Sequence, residues 1–304
     1  MALTGAEKTA YQKDYMAKRR QSGTRNVVNK DSARKRKNVL NKRRSFVVKE
    51  ACTPGFHRVS KNRVRYGDAH VKLRPRTNDV RISTEVFSGC YKRTVVGVGT
   101  ASSGDVVWID MGAHAGFFSI YAIQNGATTV YAYEAAAANC RALRCNTGAW
   151  PVHVYHQAVK SGACTQQIPL YMHGRKDNTS RHCVRPVKGR RSMHVPAVCF
   201  NDVLKRHPDA NAIKMDIEGE ELYVLDEHLE QLPRRINALA FEYSYSVDEQ
   251  PLHFKQLVAR CRKVFKHVHH VPSAIRRPKT KGRYVKMYNR DVLVHCWNRR
   301  PPMK

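Results

Sequence analysis

The sequence has few acidic residues, with 24 Asp and Glu against 55 Lys and Arg in 304 residues. It also lacks any run of about eighteen apolar residues, so no membrane-spanning helix is expected. Residues 1–15 are polar and lack the apolar stretch of a secretory signal. We therefore expect an intracellular protein, cytoplasmic or nuclear. The sequence carries no indication of oligomeric state.

The nine cysteines are odd in number and include no Cys-x-x-Cys pair. This pattern favours reduced thiols over disulfides or a zinc site. His153 and His156 form a His-x-x-His segment, but no flanking pattern completes a set of metal ligands. No metal is therefore expected.

The positive charge is concentrated at the two ends of the chain. Residues 1–50 hold 15 Lys and Arg against 4 Asp and Glu, and residues 251–304 hold 15 against only Asp291. Basic ends of this kind favour contact with a polyanion through phosphate groups, so RNA or DNA is an expected partner. A solubilising tail, or an arm bound to another acidic surface, explains the same charge.

Composition divides the chain into four segments. Residues 1–55 form a basic extension, expected to be largely disordered or helical because it has little apolar surface to bury. Residues 56–100 are a lead-in segment, residues 101–272 a core, and residues 273–304 a basic segment containing a final core strand. Strand and helix patterns alternate in the core, which predicts an α/β fold with a doubly wound, mostly parallel sheet.

Apolar and β-branched runs predict the strands of this sheet. They are Val106–Asp110, Thr128–Tyr133, Val152–Val159, Ile213–Ile217, Ala238–Tyr245 and Val292–Trp297. Residues 160–200 are basic and contain three glycines. We expect a hairpin or a mobile insertion there.

A glycine turn follows the first of these strands, in the segment Asp110 to Phe118. Gly112 and Gly116 allow the backbone to turn tightly beside a ligand, where a Cβ would collide. The acid at the strand end can neutralise an amino group, and this edge of an open α/β sheet is where ligands bind. The Gly-x-Gly-x-x-Gly spacing of nicotinamide-binding proteins and the Gly-Lys-Ser/Thr phosphate loop are both absent.

Further acids follow two other strands. Glu134 ends the strand after the glycine turn, where a carboxylate can accept both ribose hydroxyls of a nucleoside. A carboxylate favoured at a helix start is the alternative explanation, but two acids at successive strand ends favour a cofactor site. Asp216, Glu218, Glu220 and Glu221 follow a later strand, and we expect one or two of these four to face the site.

These motifs together resemble the FkbM family of methyltransferases over about residues 65–270. The segment Asp110 to Ser119 resembles the glycine loop of the family, and residues 71–91 resemble its lead-in segment. The family signature Lys-x-Asp-x-Glu-Gly-x-Glu matches at Lys214, Asp216, Glu218, Gly219 and Glu221. The resemblance implies a class I, Rossmann-like, seven-stranded sheet and S-adenosyl-L-methionine as cofactor.

The resemblance also implies roles for individual residues. The methionine moiety would be lined by Asp110, Gly112, Ala113 and Gly116. Glu134 would hold the ribose, and Gln157 with Ala158 would lie near the adenine. Family members typically methylate hydroxyls of sugars or small metabolites, so a hydroxyl-bearing acceptor is expected.

Methyl transfer to an alcohol needs a base within hydrogen-bond reach, because a hydroxyl is a poor nucleophile. Asp216 is the first candidate base, followed by Glu218, His114 and Glu242. A histidine titrates near neutral pH, but one inside a cofactor loop is as often simply packed or bonded to the backbone.

Two other functions remain open from the sequence. A nucleic-acid methyltransferase acting on a ribose or cap-like hydroxyl would use the basic ends to hold phosphates. Such ribose-methylating enzymes usually carry a Lys-Asp-Lys-Glu set, and the fifth strand offers no obvious lysine. A binding protein with a vestigial methyltransferase core is the third candidate, although the acids and glycines are intact.

Overall fold

The computed structural model describes residues 55–98, 104–163, 166–174, 178–244, 254–272 and 291–298. The predicted basic extension lies almost wholly outside these residues, as does most of the basic C-terminal segment. The described part contains no helix that is both long and apolar enough to cross a membrane.

The chain alternates between strands and helices through most of its length. The strands are β1 (Phe56–Ser60), β2 (Arg63–Tyr66), β3 (Ala69–Lys72), β4 (Val107–Met111), β5 (Thr129–Tyr133), β6 (Val152–Tyr155), β7 (Ala158–Lys160), β8 (Gln167–Tyr171), β9 (Ser192–Cys199), β10 (Ala212–Met215), β11 (Ala238–Ser244), β12 (His267–Pro272) and β13 (Asp291–Trp297). The helices are α1 (Asp79–Phe87), α2 (Lys92–Val98), α3 (Phe117–Gln124), α4 (Ala137–Thr147), α5 (Phe200–Arg206), α6 (Glu221–His228) and α7 (Phe254–Val264), with a 3₁₀ turn at Leu229–Gln231.

The main sheet has seven strands in the order β12-β13-β11-β10-β4-β5-β6. The pairs from β11 to β6 are parallel, whereas β13 runs antiparallel to both of its neighbours. The chain winds outward from β4 through β5 to β6 on one side, and from β10 to β11 on the other. The predicted α/β fold with a doubly wound, mostly parallel seven-stranded sheet is confirmed.

The central strands are apolar because helices cover both faces of the sheet. All residues of β4 and β10 are buried. Trp108 packs into a core with α1, α2 and α3, whereas Ile109, its neighbour along β4, packs into a second core with α6 and α7. These two cores lie on opposite faces of the sheet, since successive strand residues alternate between faces.

The predicted strand Val152–Val159 is wrong in its extent. The structure divides it into β6, in the main sheet, and β7, which pairs with β9 in a separate three-stranded sheet. The division occurs at His156 and Gln157, and His156 Nε2 lies 3.0 Å from the Ala135 carbonyl oxygen. The hairpin predicted within residues 160–200 is confirmed as the antiparallel pair β8 and β9.

A small antiparallel sheet, β1-β2-β3, precedes the main sheet. One of its faces is buried through Phe56, Val64, Tyr66 and Val71. Tyr66 stacks on Phe87 of α1 with a 4.7 Å separation between ring centroids. This face therefore attaches the small sheet to the helical layer over the main sheet.

Gly112 allows the ends of β4 and β10 to approach each other closely. It has φ +77°, and a Cβ built on it would lie 1.8 Å from the Asp216 carbonyl oxygen. That oxygen belongs to backbone just after β10 and cannot move aside without unpairing the strand, since the Asp216 N–H donates to the Met111 carbonyl at 3.0 Å. The glycine is therefore required by the packing of the protein itself.

We expect Gly112→Ala to lower the free energy of unfolding by about 2 kcal/mol or more, through overpacking and a left-handed backbone. Urea denaturation would measure the change. Gly174→Ala is the matched control, because no atom of the described residues, apart from Gly174 and its chain neighbours, lies within 4 Å of its Cβ position. Equal stability of the two variants would contradict the packing argument.

Candidate active site

The candidate site lies at the carboxyl edge of β4, β5 and β10, on either side of the point where the winding of the sheet reverses. Ligands of open α/β sheets bind at such a switch point. The Gly112 and Ala113 N–H groups both donate to the Tyr133 carbonyl at 2.9 Å. The glycine loop is thus tied to the end of β5 on one side, and to the end of β10 on the other.

Lys214 is the buried centre of this arrangement, although the sequence analysis assigned it no role in the site. Its ammonium donates to the Gly112 carbonyl at 2.9 Å and lies 3.2 Å from Asp110 and 3.7 Å from Asp216. Burial opposes the charge, but the two carboxylates outweigh burial and raise the pKa of Lys214. A lysine inside an apolar strand was the sequence feature that could have identified it.

Asp110 lies within β4, two residues before Gly112 of the glycine loop. Its carboxylate is fully buried. One oxygen accepts from the Ser119 hydroxyl at 2.7 Å, and the other faces Lys214. These contacts join Asp110 to Lys214 and to α3, and its predicted place beside the methionine moiety remains a prediction.

Gly116 also serves the packing of the protein. A Cβ there would lie 2.8 Å from side-chain atoms of both Leu143 and Thr147 on α4. Its φ of +87° begins α3 in a conformation that favours glycine. Ala113 and Ala115, between the two glycines, are buried. The loop is thus shaped by neighbouring protein atoms on both sides.

Glu134 is nearly buried at the end of β5. Its carboxylate accepts from the His114 N–H and the Ala136 N–H, both at 2.8 Å, and from the Asn139 amide at 3.2 Å. Burial nevertheless raises the pKa of Glu134 to about 7, against the lowering effect of these bonds. Through these bonds the side chain joins the glycine loop to the start of α4.

The four acids after β10 divide into two pairs. Asp216 and Glu218 are partly exposed at the carboxyl edge of the sheet, which we call the crevice. Burial and the nearby Asp216 carboxylate both raise the pKa of Glu218. Glu220 instead accepts from Ser161 and pairs with Arg185 at 2.9 Å. The fourth, Glu221, accepts from the N–H groups of its own loop.

His114 is buried and its basic nitrogen is already occupied. The Arg74 guanidinium, which can only donate, lies 3.0 Å from Nε2, and the Thr179 hydroxyl lies 2.8 Å from the same atom. Burial lowers the pKa of His114 to about 3. These contacts weigh against His114 as the base, because Nε2 has no lone pair free for an acceptor proton.

A polar cluster that the sequence analysis missed surrounds His114. Arg74 pairs with buried Asp79 at 2.8 Å and donates to Asn139 at 2.6 Å. Although burial opposes it, the Arg74 guanidinium lowers the pKa of Asp79. Thr179, from the loop between β8 and β9, accepts from Asn139 through its carbonyl oxygen at 2.8 Å. The cluster joins the lead-in segment, the glycine loop, α4 and this second loop.

Gln157 and Ala158 lie apart from that cluster. The Gln157 side chain accepts from Arg206 on α5 at 2.9 Å. Ala158 is buried and pairs with Ala197 in the second sheet. Neither side chain is held towards the glycine loop by a contact among the described residues.

Two loops of the site contain left-handed residues that are not glycine. His114 has φ 52° and Glu218 has φ 56°. Such conformations cost on the order of 1–3 kcal/mol each and cluster at functional sites. Nowhere in the described ranges do three or more His, Cys, Asp or Glu side chains form a group arranged to hold a metal ion.

Comparison with known proteins identifies the family. The FkbM methyltransferase domain matches residues 110–268, and no curated protein matches the chain. A solved FkbM methyltransferase from Methylobacillus flagellatus KT is 14% identical, with a TM-score of 0.39, over 71% of this chain and 52% of that one. The chain therefore spans about half the length of that protein.

Two further solved structures are similar to the chain. Sp1610 of Streptococcus pneumoniae, in complex with S-adenosyl-L-methionine, is 11% identical with a TM-score of 0.36, over 70% of this chain and 72% of that one. The bifunctional kinase-methyltransferase WbdD is 12% identical with a TM-score of 0.37, over 69% of this chain and 39% of that one.

The matched domain covers more than half of the chain and includes both loops of the crevice. The protein therefore belongs to the FkbM methyltransferase family.

Proposed function

We propose that the protein transfers a methyl group from S-adenosyl-L-methionine to a hydroxyl of a sugar or another small acceptor. The observation that carries the proposal is the contact of the β4 and β10 loops at the switch point, where the Asp216 backbone lies against Gly112. Membership of the FkbM methyltransferase family supports the reaction type.

The charges at the crevice fit a cationic donor. Lys214 is balanced by Asp110, and Arg74 by Asp79. Among the carboxylates that remain are Glu134 and Glu218. Burial raises the pKa of Glu134 to about 7 and also raises that of Glu218. A cation bound nearby stabilises such carboxylates in their ionised form, so the residues present suit a sulfonium compound.

When bound, S-adenosyl-L-methionine supplies an electrophilic methyl group on a positively charged sulfur. Glu134 is proposed to accept hydrogen bonds from the ribose, and the 112–116 backbone to enclose the methionine part. Gln157 and Ala158 remain the proposed neighbours of the adenine. The contacts of His114 with Arg74 and Thr179 indicate that it positions the loop.

Asp216 is the proposed base for the acceptor hydroxyl, with Glu218 as the second candidate. The Asp216 side chain is 32% exposed, so an acceptor can reach it from the crevice. Asp216 and Glu242 both act electrostatically on Cys90 and Tyr91, in the turn between α1 and α2. We therefore propose that this turn forms one wall of the site that binds the acceptor.

We expect the affinity for S-adenosyl-L-methionine to rise with pH up to about 7 and to level off above it. The raised pKa means that Glu134 is protonated below about 7, and a protonated carboxyl accepts fewer ribose hydrogen bonds. Below about pH 7, the affinity should fall by up to about tenfold for each pH unit. Titration calorimetry between pH 5.5 and 8.5 would measure it.

Glu134→Gln is the control for this pH dependence. Its affinity should be lower than that of the unaltered protein and nearly flat across the same range. A pH dependence that persists in Glu134→Gln would assign the titration to another group and remove Glu134 from the donor site.

We expect Asp216→Asn to lower turnover by about 10²-fold or more, the contribution typical of a general base. Donor binding should be nearly unchanged, because the contacts of Lys214 with Asp110 and Gly112 remain. Single-turnover kinetics with radiolabelled donor would measure the chemical step, and calorimetry the binding.

Asp202→Asn serves as a matched control for the loss of one carboxylate. Asp202 is exposed on α5, 3.6 Å from Lys205, and this variant should keep normal turnover. Near-normal turnover in Asp216→Asn would transfer the role to Glu218, which Glu218→Gln would then test.

Transfer of a labelled methyl group would identify the acceptor class. We expect labelling of neutral sugars or small hydroxyl compounds. Structured RNA and duplex DNA are tested in parallel as alternative acceptors. Labelling of RNA alone would overturn the proposed acceptor while keeping the donor. Absence of donor uptake by folded protein would overturn the proposed function as a whole.

A further inference from the structure

The outward face of the small sheet β1-β2-β3 is basic. We define the basic face by its exposed side chains, His57, Arg63, Arg65, His70 and Lys72. Residues 55–72 contain five Lys and Arg but a single acid, Asp68, in the turn between β2 and β3. The opposite face of the sheet is buried, so the basic residues share the free side.

The strand register places basic side chains opposite one another. Arg63 and Lys72 are a directly opposed pair of like charges, and Arg65 lies between His57 on one strand and His70 on the other. Like charges directly opposite each other in an antiparallel pair are destabilising. Within the described ranges, no ion pair joins these side chains to an acid.

If this face served only to keep the protein soluble, we would expect side chains of both charges on it. The cross-strand repulsion is relieved when an external anion lies over the face, since each Lys or Arg then gains a partner. A polyanion relieves it more than single ions do, because one molecule neutralises several positions and releases its own counterions.

We propose that the basic face is a docking surface for the phosphate backbone of nucleic acid. No Trp, Tyr or Phe belongs to the exposed set, so base stacking does not contribute and recognition is independent of sequence. The basic face is formed by residues 57–72 and does not include the basic ends of the chain. The proposal does not depend on the methyl acceptor.

The test compares two triple variants of the full chain. The first, Arg63→Gln, Arg65→Gln and Lys72→Gln, neutralises the basic face. The second, Lys255→Gln, Arg262→Gln and Lys266→Gln, also removes three positive charges. Two of these residues are on α7, and Lys266 follows its end. Since α7 packs in the core on the other face of the main sheet, the second variant is a control for net charge.

Binding to a generic RNA hairpin would be measured by fluorescence anisotropy over a series of salt concentrations. The first variant should bind about tenfold more weakly or worse, and its salt slope should fall by about 2–3 units. The control should change affinity by less than about twofold. Calorimetric donor binding, unchanged in both variants, would show that the fold and the proposed active site are intact.

Equal weakening of the two variants would overturn the proposal, since net charge alone would then explain binding. Failure of the full chain to bind the hairpin would also overturn it. Vesicles containing phosphatidylserine form a third arm. If the basic face were required for vesicle binding but not for RNA binding, the partner would be a membrane surface and the proposal would be wrong.

Discussion

The buried ammonium of Lys214 fixes the two loops on which the site depends. At 3.2 Å from Asp110 its Coulomb attraction is about 5 kcal/mol at an effective dielectric of 20, while removing each ion from water costs several kcal/mol. The pair therefore adds little net stability. Its contribution is geometric, because the same ammonium donates to the Gly112 carbonyl and approaches Asp216, so the ends of β4 and β10 share one partner.

The strained backbone of the site is held by contacts outside the strands. His114, with φ 52°, is bonded through its N–H to Glu134 and through its ring to Arg74 and Thr179. The loop containing Glu218, with φ 56°, is closed by bonds from its N–H groups to a neighbouring carboxylate at the start of α6. Each loop thus has local bonds that offset about 1–3 kcal/mol of strain. The candidate site is a preformed arrangement.

The alternation of strands and helices was sufficient to predict the fold, because buried parallel strands have continuous apolar runs that end in polar loops. It also located the glycine turn, Glu134 and Asp216, each at the end of a strand. The sequence could not show that Gly112 packs against backbone from β10. Nor could it show the contact of Arg74 with Thr179, which are 105 residues apart and share no motif. Such contacts depend on the packing of loops, and strand patterns carry no information about them.

The proposed surfaces have opposite electrostatic character and suit different partners. At the crevice, carboxylates with raised pKa values favour a cation, and a phosphate chain entering it would place further negative charge beside Glu134 and Glu218. On the basic face, opposed Arg and Lys residues favour an anion. The same charge separation allows a small neutral acceptor to reach Asp216 while a polyanion occupies the outer sheet. Docking and methyl transfer are consequently separable properties of one domain.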